Sequence, residues 1–84
     1  MGLTYQVSIV QQKDWTFDEE CVGLFMPQQH QIKVLFNEDP ATMEHVFLHE
    51  LMHAILYCMG RDKLYRDEPF VDVVAGLLQQ ALNP

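Results

Sequence analysis

The stretch Val46–Gly60 reads VFLHELMHAILYCMG. Up to Met59, only His49, Glu50 and His53 in it are neither apolar nor aromatic. An apolar run of this length with no internal breaker predicts a helix buried on nearly all sides, stopped by Gly60. At its other end, Asp39 followed by Pro40 fits an N-cap with proline at the first helical position, and Thr42 is a second candidate for the cap. Residues four apart share a helical face one turn apart. His49 and His53 can therefore aim ring nitrogens at one ion, roughly 2.0–2.1 Å from each. Glu50, next to His49, projects beside that pair, where it reaches a water in the open coordination position and can take its proton. The plain alternative is a chance match of two histidines and a glutamate. Burial speaks against it, because buried carboxylates and imidazoles need partners, and a metal with its water supplies partners for all three.

A catalytic zinc site takes a third protein ligand. Pro69 permits a second helix start, and Phe70, Val73, Val74, Leu77, Leu78 and Leu82 repeat at helical spacing after it. Glu68 and Asp72 fall four apart on its opening turns. Glu68 would complete a His-His-Glu set, and Asp72 would accept the outward ring N–H of a ligating histidine. Spacing leaves Asp72 open as the alternative ligand. It also leaves Asp67, Glu68 and Asp72 open to a plainer role, as acids complementing a helix dipole. His45, four before His49, reads as an ordinary surface histidine, with ligand or substrate contact as its alternatives. His30 sits in a turn and reads as solvated. Stabilisation of an oxyanion beyond the metal has four candidates: Tyr57, Tyr65, Arg61 and Arg66. Tyr57 reads equally well as a core tyrosine with its hydroxyl at the edge.

Outside these segments, Leu3–Val10 alternates, with Leu3, Tyr5, Val7 and Ile9 on one buried strand face. Val22–Met26 and Gln31–Phe36 flank a polar turn and predict a hairpin. Lys13–Glu20 reads as a connection and Arg61–Asp67 as a charged loop. The 84 residues make one domain, residues 1–84, small enough for a bound metal to add stability. The net charge is −7, with five basic and twelve acidic residues. That balance offers no basic patch for nucleic acid or an anionic membrane and suits a divalent metal or a cationic ligand. Met1 is followed by polar alternation rather than a signal sequence, no apolar run reaches bilayer length, and Cys21 and Cys58 stand outside any C-x-x-C pair. These features lead to the expectation of a cytoplasmic protein with both thiols reduced and mostly buried.

His49-Glu50-x-x-His53, a short interval, and Glu68-x-x-x-Asp72 together resemble the gluzincin metallopeptidases. The span from Val22 to Leu82 is also similar to small phage and bacterial zinc-dependent peptidase-like proteins: a strand pair, the helix segment Phe47–Ala54, and a short helix opening at Glu68. The metzincin extension is absent, since Leu56 and Met59 stand where it would need a glycine and a histidine. The resemblance implies an α+β, minimal zincin-like domain, with a small β-sheet packed on the metal helix and a second helix at the C-terminus. It implies one zinc ion per chain, with Glu68 as third ligand and Asp72 supporting a histidine. It further implies peptide-bond hydrolysis with Glu50 as general base, on a peptide or protein substrate added as a strand to the sheet edge at Val22–Met26. Two rival readings remain: a hydrolase of non-peptide amides, and a zinc-bound interaction or regulatory module with negligible turnover. The small size and missing substrate subdomain favour the module. Glu50 argues against it.

Overall fold

Asp39 starts the helix on which the molecule is built. In the computed structural model, which describes residues 4–83, its side chain accepts from the Ala41 amide at 3.2 Å and from the Thr42 hydroxyl at 2.8 Å. Thr42 thus braces the cap rather than serving as it. Helix α1 runs Pro40–Cys58. Gly60, at φ 70°, closes it: the amides of Gly60 and Arg61 donate to the carbonyls of Tyr57 and Leu56 at 3.1 and 2.9 Å, the paired bonding that a left-handed residue permits.

Three strands precede α1: β1 (Gln6–Val10), β2 (Gly23–Met26) and β3 (Gln31–Leu35). Their order is β1-β3-β2, with β2 antiparallel and β1 parallel to the central β3. The hairpin of β2 and β3 turns through Pro27–Gln29 and His30, which adopts φ 53°. Ile32 and Val34 of β3 are buried against Ala54 of α1, with Phe25, Met43, Val46, Phe47 and Leu51 packed around them. After α1 come a single turn, α2 (Asp62–Tyr65), and then α3 (Glu68–Leu82). Asp67 caps α3 by accepting from the Phe70 amide at 3.1 Å. The architecture is α+β, a small sheet and a second helix packed on α1. Among the described residues, no helix is long and apolar enough to cross a membrane.

Several expectations from the sequence need correcting. The first strand begins at Gln6, and Leu3 lies outside the described residues. Val7 and Ile9 remain 49% and 59% exposed: β1 is an edge strand, and α1 packs over β2 and β3 instead. Helix α1 is not enclosed on nearly all sides either. Ile55, Tyr57, Cys58 and Met59 are exposed, because the sheet and α3 leave one flank of its last turns open. Cys58 is therefore an exposed thiol, 3.3 Å from the Tyr5 hydroxyl, and Cys21 is half-buried; both are free. The Arg61–Asp67 loop contains α2.

The largest difference concerns α3. Its fully buried residues are Val71 and Ala75, while Val73 and Leu77 are 61% and 59% exposed. Glu68, Val71, Asp72, Ala75 and Gln79 share one helical face, and the small side chains on it let α3 lie close along α1. The bulkier stripe of Phe70, Val73 and Leu77 points away.

Candidate metal centre

One turn of α1 separates His49 from His53, and their ring centroids lie 5.0 Å apart. The first turn of α3 brings Glu68 against both. Its Oε2 lies 2.9 Å from His49 Nε2 and its Oε1 lies 3.0 Å from His53 Nε2. One donor atom from each of these three residues falls within 4.8 Å of the others. A tetrahedral ion with bonds of 2.0–2.1 Å holds its ligand atoms about 3.3 Å apart. The contacts of Glu68 with the two histidines fall near that spacing, and two imidazoles with one carboxylate are donors such an ion prefers.

Asp72 stands one turn further along α3. Its Oδ1 accepts from His49 Nδ1 at 3.1 Å and from His45 Nε2 at 2.9 Å. The first of these bonds orients the His49 ring so that Nε2 faces Glu68. Hydrogen bonds from His45 and then His49 hold the Asp72 carboxyl below the usual aspartate range. Of the two acids, the structure thus sets Glu68 against both histidines and Asp72 behind one of them.

His45 departs from the surface role expected of it. It is half-buried, its Nδ1 lies 3.3 Å from Gln79 Oε1, and Gln79 donates to the Ala41 carbonyl at 2.7 Å. Antiparallel helices set Glu68 against His53 and His49, Asp72 against His49 and His45, and Gln79 against His45. The sequence signal was the recurrence of histidine every four residues, at 45, 49 and 53, opposite a helix with polar residues on one face. On His53, which is 8% exposed, Nδ1 is buried and has no hydrogen-bond partner among the described residues.

Glu50 lies on the sheet side of the histidines, under β2. A Cβ at Gly23 would come 2.5 Å from Val46 Cγ1 and 3.2 Å from Glu50 Oε2. Only the bare backbone of glycine fits over the acid there. Burial pushes the Glu50 carboxyl up to about 7, with His49 pulling it down and Glu68 pushing it up by lesser amounts.

These groups open into a cleft of about 670 Å³ between the hairpin, α1 and the start of α3. Val22, Leu24 and Phe25 form its apolar wall, and Tyr65 and Arg66 reach its floor and rim. The Tyr65 ring centroid is 5.0 Å from that of His53. Burial, and then the nearby Glu50, hold the Tyr65 hydroxyl above the usual tyrosine range. Tyr57 and Arg61 do not border this cleft. His30 is exposed in the hairpin turn, edge-on to Tyr5 at 5.4 Å and apart from the cleft. No family model matches the chain, and neither a curated protein nor a solved structure does.

Proposed function

We propose that this protein is a zinc-dependent hydrolase of peptide bonds, holding one ion on His49, His53 and Glu68 and using Glu50 as general base. The observation that carries the reading is the convergence of three donors from two helices beside a half-buried carboxylate, inside an open cleft. When bound, the ion supplies Lewis acidity at its open position, acidifying water and polarising a carbonyl. Glu50 takes the proton of the attacking water and later returns it to the leaving amine. Burial raises that carboxyl in the metal-free chain, which favours its taking up a proton from the water. Asp72 holds the His49 ring in orientation. Tyr65, beside His53, offers a hydroxyl toward the carbonyl oxygen as charge gathers there. The edge strand β2 runs along the cleft, and its outer N–H and C=O groups suit an extended peptide added as a further strand.

A purely structural site would close its coordination with a fourth protein ligand and would have no use for Glu50. This favours hydrolysis over a silent interaction module. The test is metal analysis of purified protein together with cleavage of a peptide library. The wild type should carry about one zinc per chain, the stoichiometry of a three-ligand catalytic site, and cut peptides. Glu50→Gln should keep the zinc and lose cleavage. Zinc in both proteins with cleavage in neither would move the reading to the interaction module. Protein that is metal-free and indifferent to added zinc would sink both.

A further inference from the structure

Tyr57 and Arg61 have no place in the cleft, yet they share a second hollow of about 340 Å³ with Leu56, Gly60, Tyr65 and Arg66. Tyr65 and Arg66 border both spaces. The Tyr65 ring is the partition, 5.0 Å from the His53 ring on one side and 6.0 Å from the Tyr57 ring on the other.

The charges of the two spaces differ in sign. The cleft carries Glu20, Glu50, Glu68 and Asp72. The hollow is lined by two arginines and a single acid, Asp62. Arg66 engages that carboxylate at 3.2 Å, and Arg61 has no carboxylate within 4.0 Å among the described residues. In a chain of net charge −7 with five basic residues, an arginine without an acid beside an apolar floor of Leu56 and two tyrosine rings is a site for an anionic group. Its planar fork matches a carboxylate. An extended residue spans roughly 3.3–3.6 Å, so a peptide lying over His53 passes Tyr65 and reaches Arg61 within a few residues.

We propose that the hollow binds the free C-terminal carboxylate of a peptide whose scissile bond lies over the metal centre, so that the enzyme trims peptides from their C-terminal ends. The proposal rests on the hydrolase reading above and gives it a substrate class. Tyr57 and Tyr65 flank the terminal residue, Arg61 holds its carboxylate, and Arg66 follows if Asp62 yields it.

Binding is measured on zinc-loaded Glu50→Gln by NMR titration with pairs of identical peptides, one ending in a free acid and one in a carboxamide. The acid should bind about tenfold tighter, the effect of one charge-assisted contact, with the largest shifts at the Gly60 and Arg61 amides. Arg61→Gln should reduce that preference to less than about threefold without changing zinc content. Equal binding of acid and amide overturns the proposal, as does a preference that survives Arg61→Gln. So does a carboxamide peptide ending in glutamate that binds as tightly as the free acid, since the site would then read a side chain. Wild-type turnover separates the two claims. Selective binding without cleavage leaves the anion site standing and removes the hydrolase. Cleavage of acid and amide alike leaves the hydrolase standing and removes the anion site.

Discussion

Helix α1 meets the sheet on one side and α3 on the other, and the two seams are made of different materials. Against the sheet it sets Ala54, Val46, Phe47 and Leu51 on Ile32 and Val34, with Tyr5, Phe25 and Met43 packed beside them. Against α3 it sets His45, His49 and His53 on Gln79, Asp72 and Glu68. The first seam draws on apolar burial, about 25 cal/mol per Å², which is indifferent to protons and ions. The second has Val71 and Ala75 as its apolar part, but its contacts are ion pairs with exposed carboxylates, which contribute little by themselves. The orphaned His53 Nδ1 weakens it further. The sheet seam therefore sets where Glu50 lies under every condition. The α3 seam, which carries Glu68, is the one that an ion bound between the helices would strengthen.

Breaking the sheet seam should have the largest effect. Ile32→Ala should destabilise the protein by about 2–5 kcal/mol, by the same amount with zinc and with chelator, as measured by urea unfolding. A loss that changes with zinc would mean the seams are coupled. Next in size, zinc at a hundredfold excess over its dissociation constant should add about 2.7 kcal/mol, and His53→Ala should abolish that gain. Melting curves in a metal buffer check both statements. Asp72→Asn should weaken zinc binding by about 10–100-fold while leaving the metal-free protein nearly as stable, which competition with a chromophoric chelator reads directly.

The smallest effect is expected where the seams adjoin, at Glu50. Its carboxyl is raised from 4.5 to about 7 by burial, so the folded chain disfavours the ionised form. The resulting penalty is absent below pH 4.5, grows as pH rises to about 7, and is constant above that. Metal-free Glu50→Gln should accordingly be more stable than the wild type at pH 8, with the two proteins alike near pH 4. A gap of equal size at both pH values would rule out burial of the charge as its source.

The parts of this arrangement legible in the sequence are those written in local chemistry. Asp39-Pro40 and Gly60 delimit α1 because caps depend on neighbouring residues alone, and the hairpin is announced by a polar turn between two apolar runs. His49, His53 and Glu68, which the fold brings together, stand out because a metal site would constrain residue type and spacing together. What was not legible depends on partners far along the chain. The apolar repeat of α3 has two possible inner faces. The helical spacing of Phe70, Val73, Val74, Leu77, Leu78 and Leu82 does not say which face is inner, whereas close approach to α1 selects Val71 and Ala75. The exposure of Val7 and Ile9 follows from β1 lying beyond the reach of α1, and a parallel pairing with β3 leaves no signature in β1 itself. His45 looked solvated because its acceptors, Asp72 and Gln79, come from another helix.

Gly23 pairs with Val34 in the hairpin and is the one point where β2 passes directly over the acid with no side chain between them. Slippage of β2 by a single residue would bring Val22 or Leu24 to that spot and wedge the strand off α1. A missing methyl group thereby serves as a key for alignment. The registration that lets the hairpin close on the helix is also the one that roofs Glu50.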